Sequence, residues 1–280
     1  MRFDGRERAN PNDEAIRRAA IALSNQRPAE AERLATEALK NNASHPDAIK
    51  ILGRALMMLN RYNEAIVPLE KLARSSRDPE SATLLAIALR NSRKIDEAEI
   101  WLKRAIKRKP AFPLAFYEFG GLLKALERFD EAIEILKQGL DLAPMAPEMA
   151  LQLGSVYYSI NDRTNARKFF SRARSISPQN AQAIQALGTV LMDEHDYANA
   201  AELFGQAITE NPNNPLAQMC LGYCRLGLGQ TDAAYDCLRT SIAISPQLYG
   251  KVLKMLVTSG RGRFWLRPSH AAKFFERKNS

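Results

Sequence analysis

The residues best suited to acid–base, nucleophilic or metal chemistry in this 280-residue chain are three histidines and three cysteines. His45, His195 and His270 stand far apart, and His45 and His195 fall in segments that read as turns. No Ser/His/Asp constellation follows from those positions. Cys220 and Cys224 are four residues apart and share a face if their segment is helical; Cys237 is the third. Two thiolates with a single further cysteine do not make a tetrahedral zinc site, and small buried hydrophobes is the simpler reading. The glycines fall in packing columns and form no phosphate-cradling loop. The acid pairs Asp96-Glu97 and Asp130-Glu131 stand where helices should begin, and there they complement the helix dipole. These residues imply no catalytic site, no metal and no cofactor, so the chain is expected not to be an enzyme and to take no small-molecule substrate.

Composition narrows the class further. Hydrophobic residues make up 46% and charged residues 25%, ordinary for a folded chain with ample core material. The net charge is +9, but residues 261–280 hold six cations against Glu276 and supply +5 of it. The body is therefore close to balanced, which argues against a nucleic-acid-binding surface along it. Few cysteines, odd in number, fit a reducing compartment. The first residues are not followed by an apolar run, and no stretch approaches the ~18 apolar residues of a membrane helix. A cytoplasmic location without a membrane span is expected.

The elements that would position any functional group are set by a repeat. A small residue preceded by Leu or Phe recurs at Gly53, Ala86, Gly120, Gly154, Gly188 and Gly222, with spacings of 33, 34, 34, 34 and 34. Twelve residues later stand Ala65, Ala98, Ala132, Ala166, Ala200 and Ala234. Twelve beyond the last five of these come Pro110, Pro144, Pro178, Pro212 and Pro246. A degenerate earlier copy places Ala19 and Ala31 in the first two columns. Each unit carries two apolar stripes of 3.6-residue period, hence two amphipathic helices. Gly and Ala allow a close crossing, and Leu69, Leu102, Leu136, Phe170, Phe204 and Leu238 are expected to fill space between repeats. Asn63, Asp96, Asp130 and Asp232 are placed to cap the second helices. The proline column ends those helices, and Pro46, Pro79, Pro113, Pro147 and Pro215 begin the first ones.

This pattern resembles the tetratricopeptide repeat family, over about residues 12–248. The resemblance implies an all-α, right-handed superhelical solenoid of about seven helix-turn-helix repeats: 12–45, 46–78, 79–112, 113–146, 147–180, 181–214 and 215–248. Residues 1–11 read as an N-terminal extension. Residues 249–260 read as a helix capping the last apolar face, and 261–280 as a basic aromatic tail. The family's large aromatic early in the first helix is kept only at Phe116, and its tyrosine three after the glycine only at Tyr157.

In the resembled family the first helices line a concave groove. Residues three before, one after and four after each small residue point into it, and by helical period these share a stripe. The candidate peptide-binding residues are Lys50, Arg54, Arg90, Tyr117, Lys124, Leu151, Tyr158, Gln185, Met192, Met219, Tyr223 and Leu226. The N-terminal half of the stripe carries cations and no acid. The C-terminal half is uncharged, and its Met, Tyr and Leu residues call for a cover. The expected function is that of a protein-interaction scaffold or adaptor. An extended or helical guest would set an apolar part on repeats five to seven and an acidic part or carboxylate on repeats two to four. Lys50, Arg54 and Arg90 stand where some family members clamp a terminal carboxylate. The clamp's asparagines are missing, so that ligand is not carried over. Two alternatives remain: self-association or self-covering, with the Phe264, Trp265, Phe274 and Phe275 tail docked in a groove, and, ranked lower, an RNA-binding helical repeat. The RNA reading requires a recurring polar code that repeats five to seven lack.

Overall fold

A computed structural model describes residues 11–258; residues 1–10 of the expected extension over 1–11, the tail over 261–280 and the last two residues of the 249–260 cap lie outside them. Every regular element among the described residues is helical. The first helices of the successive pairs are α1 (Pro11–Ser24), α3 (Pro46–Met58), α5 (Pro79–Asn91), α7 (Pro113–Ala125), α9 (Pro147–Ser159), α11 (Ala181–Asp193) and α13 (Pro215–Gly227). Their partners are α2 (Pro28–Asn41), α4 (Tyr62–Ser75), α6 (Ile95–Lys107), α8 (Phe129–Leu142), α10 (Arg163–Ile176), α12 (Tyr197–Glu210) and α14 (Thr231–Ile244). A short 3-10 turn, Pro246–Leu248, leads into α15 (Tyr249–Thr258). This is the all-α array of about seven helix-turn-helix repeats that the columns predict.

The array resolves into two compact units, Met1–Ala143 and Pro144–Ser280. In the first, helices pack on their sequence neighbours, and α1, α3, α5 and α7 also touch in succession. In the second, α9 to α14 pack in the same sequential way, with α9 also touching α11.

The crossing within each pair is set by the small-residue column. A Cβ on Gly120 would lie 2.4 Å from Cγ of Leu136, and one on Gly154 2.6 Å from Cδ1 of Phe170. Gly53, Gly188 and Gly222 meet Leu69, Phe204 and Leu238 in the same way. The large residues therefore seat on the backbone of their own repeat, whereas the spacing had suggested that they fill gaps between repeats. The alanine column is fully buried, as at Ala65, Ala98, Ala132 and Ala166.

Helix starts divide into two kinds. Asp78, Asn180 and Asn214 cap first helices, and Asp162 and Asp196 cap second helices, each accepting from backbone N–H groups one turn in. Asn63, Asp96, Asp130 and Asp232 do not cap: α4, α6, α8 and α14 begin one residue before each of them, with Arg61, Lys94, Arg128 and Gln230 at the cap position. The three acids stand inside the first turn, where a carboxylate complements the dipole without accepting a cap bond. At two of these starts an arginine forms a clamp. Arg61 binds Glu64 and Glu32, and Arg128 binds Glu131 and Glu99, joining one second helix to the preceding one.

Each first helix ends on one left-handed residue: Gln26, Asn60, Arg93, Glu127, Asn161, His195 and Gly229. The next residue's N–H reaches five back to a carbonyl, as from Arg61 to Leu56 at 2.8 Å and from Asp162 to Tyr157 at 2.9 Å. The column advances by 34 residues except for one step of 33, the same irregularity that the small-residue column shows.

Gly120→Ala should destabilise the chain by about 1–3 kcal/mol through overpacking on Leu136, and Leu136→Ala by about 2–5 kcal/mol through a cavity. Combined, they should lose clearly less than the sum, because the new methyl enters the space vacated. Urea unfolding followed by circular dichroism measures all three; strict additivity would show that the two residues do not share one contact.

Candidate functional site

In the first unit the cationic part of the stripe is present but not unpaired. Lys50 Nζ lies 3.0 Å from a Glu80 carboxylate oxygen, 3.3 Å from Asp47 and 3.5 Å from Asp78. Arg54 pairs with Glu80 as well. Burial pulls the Lys50 pKa down, but the hydrogen bond and charge of Glu80, with Asp78 and Asp47, outweigh it and hold the net value above the ordinary lysine range. The reverse holds at Asp78: burial raises its pKa, yet bonds from Ser81 and the Glu80 N–H, with the charge of Lys50, bring it below the ordinary value. Arg90 Nη1 lies 2.5 Å from Glu118. The stripe read from three columns contained no acid because Glu80 and Glu118 stand outside those columns. Glu80 follows the helix-opening Pro79, and Glu118 precedes Gly120 by two. Tyr117 and Lys124 are half-buried, and burial lowers the Lys124 pKa.

The same unit has a hollow of about 630 Å³ on α1, α3 and α5, with Leu23, Ile51, Met57, Met58 and Ile87 among its lining. Of these, Leu23, Met57 and Ile87 stand in the stripe's columns, Leu23 four after Ala19 of the degenerate first copy, while the candidate residues begin only with the next copy. Ile51 and Met58 lie outside those columns. Tyr62, the first residue of α4, also lines it.

In the second unit the uncharged part of the stripe is organised around two tyrosines. The Tyr158 hydroxyl donates to Asp193 at 2.7 Å. The Arg163 guanidinium covers the Tyr158 ring at 3.9 Å, donates to the Tyr158 carbonyl, and stands 3.4 Å from Asp193. Burial, with the Asp193 hydrogen bond, raises the Tyr158 pKa. Tyr223 meets Tyr197 edge-on with ring centroids 5.9 Å apart, and Tyr197 bonds His195 at 2.8 Å. Tyr197 also fills the space where a side chain at Gly227 would stand, 2.4 Å away. A recess of about 280 Å³ lies beside Tyr158, lined by Ser155, Gln182, Gln185 and Thr189, with no charged side chain. Gln185 is exposed, and Leu151, Met192, Met219 and Tyr223 are half-buried. The first residue of each second helix takes part repeatedly, as Tyr62, Arg163 and Tyr197. That column stands nine after the small residue, outside the three columns of the stripe.

Leu226 is not part of an open surface. It is 2% exposed and packs in one cluster with Val252 and Leu256 of α15. The helix after the last repeat covers it, and Met219 packs on the edge of the same cluster.

The other chemical candidates are accounted for by packing. Cys224 and Cys237 are buried and Cys220 is half-buried, all as free thiols. Burial raises the Cys220 pKa to about 11 and that of Cys224 to about 12, and raises Cys237 despite the Arg225 contact. His45 caps α3 and His195 holds a left-handed turn position; His270 lies outside the described residues. Among the described residues no cluster of three metal-binding side chains occurs, and no helix is long and apolar enough to cross a membrane.

At pH 8 the folded chain should react with a thiol reagent at Cys220 roughly a hundredfold more slowly than the unfolded chain, since two pKa units remove about that much thiolate. The rate should rise with pH toward 11. Equal rates in the folded and unfolded chains would contradict the burial described.

Sequence models described as Tetratricopeptide repeat match residues 22–87 and 191–256, 117–181, and 79–112. Similar solved structures include a thermophilic TPR protein from Thermus thermophilus, 24% identical, covering 65% of this chain and 99% of that one, with a TM-score of 0.56. PilF of Pseudomonas aeruginosa is 20% identical over 72% of this chain and 92% of its own, with a TM-score of 0.62. YrrB, described as a TPR protein with an unusual peptide-binding site, is 18% identical over 64% and 92%, with a TM-score of 0.55. At these identities the likeness is one of fold. No curated protein matches the sequence significantly.

Proposed function

As the chain belongs to the tetratricopeptide repeat family, whose members generally mediate protein–protein interactions, we propose that it is a non-catalytic scaffold that holds a polypeptide segment on the faces of its first helices. Residues 12–248 form the binding array in this reading, with 249–260 as its cap. The free thiols fit a reducing compartment such as the cytoplasm.

The observation that carries the proposal is the tyrosine face of the second unit. Tyr158 is fixed by Asp193 and Arg163, and Tyr223 by Tyr197. Rigid aromatic side chains lose little conformational freedom on binding, so they are favourable contact residues. Ser155, Gln182, Gln185 and Thr189 around them are uncharged side chains able to bond a peptide backbone. The guest is accordingly read as largely uncharged where it meets this face. In the first unit Lys50, Arg54 and Arg90 already have carboxylate partners. An acidic guest would have to compete with Glu80 and Glu118, which weakens the acidic half of the original expectation.

Affinity capture with the wild-type chain, followed by mapping of the captured proteins to short peptides, supplies ligands for measurement. Tyr158→Ala/Tyr223→Ala should weaken the mapped peptides by at least tenfold while the helical circular-dichroism spectrum is retained. Unchanged affinities for every mapped peptide would sink the proposal for this face.

A further inference from the structure

Two short segments of the first unit are rich in cations and empty of acids. Residues 71–77 hold Lys71, Arg74 and Arg77, and residues 103–109 hold Lys103, Arg104, Lys107, Arg108 and Lys109. They form the C-terminal ends of α4 and α6 and run on into the residues that follow. Arg108 joins the two ends: its Nη1 donates to the Asp78 carbonyl at 2.8 Å and its Nη2 to the Ala73 carbonyl at 3.0 Å. Arg74 and Arg77 therefore share one edge with Lys107 and Lys109. Burial lowers the Arg108 pKa, Asp78 opposes that, and the charge of Arg104 adds to the lowering, which places Arg104 on the same edge.

Two of these eight cations are answered within the chain, Arg74 by Glu70 and Lys103 by Glu99, each at 2.6 Å. Lys71, Arg77, Arg104, Lys107 and Lys109 are exposed and form no ion pair among the described residues. A helix dipole favours a cation near its C-terminus, but the repeat does not demand one. The second helices α8, α12 and α14 end with no base in the last turn. Like charges gathered without a counter-charge repel one another and attract an anion from outside. The chain's own outer segments are not that anion: residues 261–280 carry +5, and residues 1–10 hold three arginines against Asp4 and Glu7.

We propose that the edge formed by the C-terminal ends of α4 and α6 binds an acidic segment of a partner polypeptide, separately from the faces of the first helices. Arg77 and Arg104 offer planar forks to carboxylates, and Lys107 and Lys109 offer point charges. A polypeptide fits this edge better than other polyanions do. Single-stranded nucleic acid takes exposed aromatic platforms for its bases, but Trp101 is buried under Arg104 and Phe112 is half-buried. An anionic membrane is broad and would also meet Glu64, Asp96 and Glu97, which are exposed in the first turns of α4 and α6. A narrow acidic strand meets the cations alone. The edge adds a second contact surface to the scaffold reading and does not use the tyrosine face.

The test uses the full chain and fluorescence anisotropy of a fluorescein-labelled twelve-residue peptide of alternating Glu and Ser. The peptide should bind saturably and more weakly as salt rises, and its Gln/Ser counterpart should bind at least tenfold more weakly. Arg77→Ser/Lys107→Ser/Lys109→Ser should lower the affinity at least tenfold with an unchanged circular-dichroism spectrum; Arg108 is left in place because it holds the two ends together. Arg17→Ser/Arg18→Ser/Lys40→Ser removes the same charge from exposed positions of α1 and α2 and should leave the affinity within twofold. No saturable binding, unchanged affinity in the edge variant, or equal losses in the two variants overturns the proposal. Edge-dependent binding of a twelve-nucleotide oligothymidylate, or of phosphatidylserine vesicles, more tightly than the peptide overturns a polypeptide as the partner. Tyr158→Ala/Tyr223→Ala should bind the acidic peptide as the wild type does, so that failure at the edge leaves the reading of the tyrosine face standing. Loss of the acidic peptide in that variant would move it to the tyrosine face and overturn the edge.

Discussion

Everything in this molecule depends on the contact between a small residue in one helix and a large one sixteen positions on in the next. Gly120 under Leu136 and Gly154 under Phe170 bring two helix backbones closer than any Cβ would permit. Ala86 and Leu102 stand at the same two positions of their own repeat, and both are buried. The contact recurs every 33 or 34 residues, and successive first helices touch from α1 to α7 and from α9 to α11. That regularity places side chains three before, one after and four after the small residue on one face. The proposed binding stripe is thus a by-product of a packing rule.

Much of this was legible in the chain because the rule leaves three marks of fixed spacing. The prolines opening α3, α5, α7, α9 and α13 stand at the helix starts as spacing and donor chemistry require. The starts of α6, α8 and α14 are hard to place from residue type, because an acid in the first turn and an acid at the cap send the same sequence signal. Asp96 and Asp162 differ only in where the helix begins, and that is fixed by the left-handed residue before it, Arg93 or Asn161. A left-handed position occupied by Arg, Glu or Gln cannot be recognised from residue type, since glycine holds it only at Gly229.

The stripe itself was legible in position and only partly in character. Tyr158 and Tyr223 are half-buried and an uncharged recess lies beside Tyr158, but Asp193 and Arg163 hold the Tyr158 ring, and neither stands in the three columns. Leu226 is covered, because α15 returns over it, and no column within the repeat carries information about the segment that follows. The cations of the first unit's stripe have partners that the stripe does not include. Glu80 and Glu118 lie outside the sampled columns, and their carboxylates reach back to Lys50, Arg54 and Arg90. Apart from Arg54 these groups are half-buried, and even surface ion pairs add about 0–1 kcal/mol each to stability. Their larger effect here is on recognition, since they leave a first-unit surface whose cations are already answered and whose hollow is apolar.

If the small-to-large contact is the element on which each repeat stands, its loss should be felt by the affected pair and by those packed on it, and not uniformly. Amide hydrogen exchange on a Gly154→Leu chain tests that dependence most directly, by driving α9 and α10 apart at Phe170. Protection should fall by orders of magnitude across α9 to α12 and remain near its original level in α1 to α4. A uniform loss through all described helices, or no loss in α9 and α10, would contradict it.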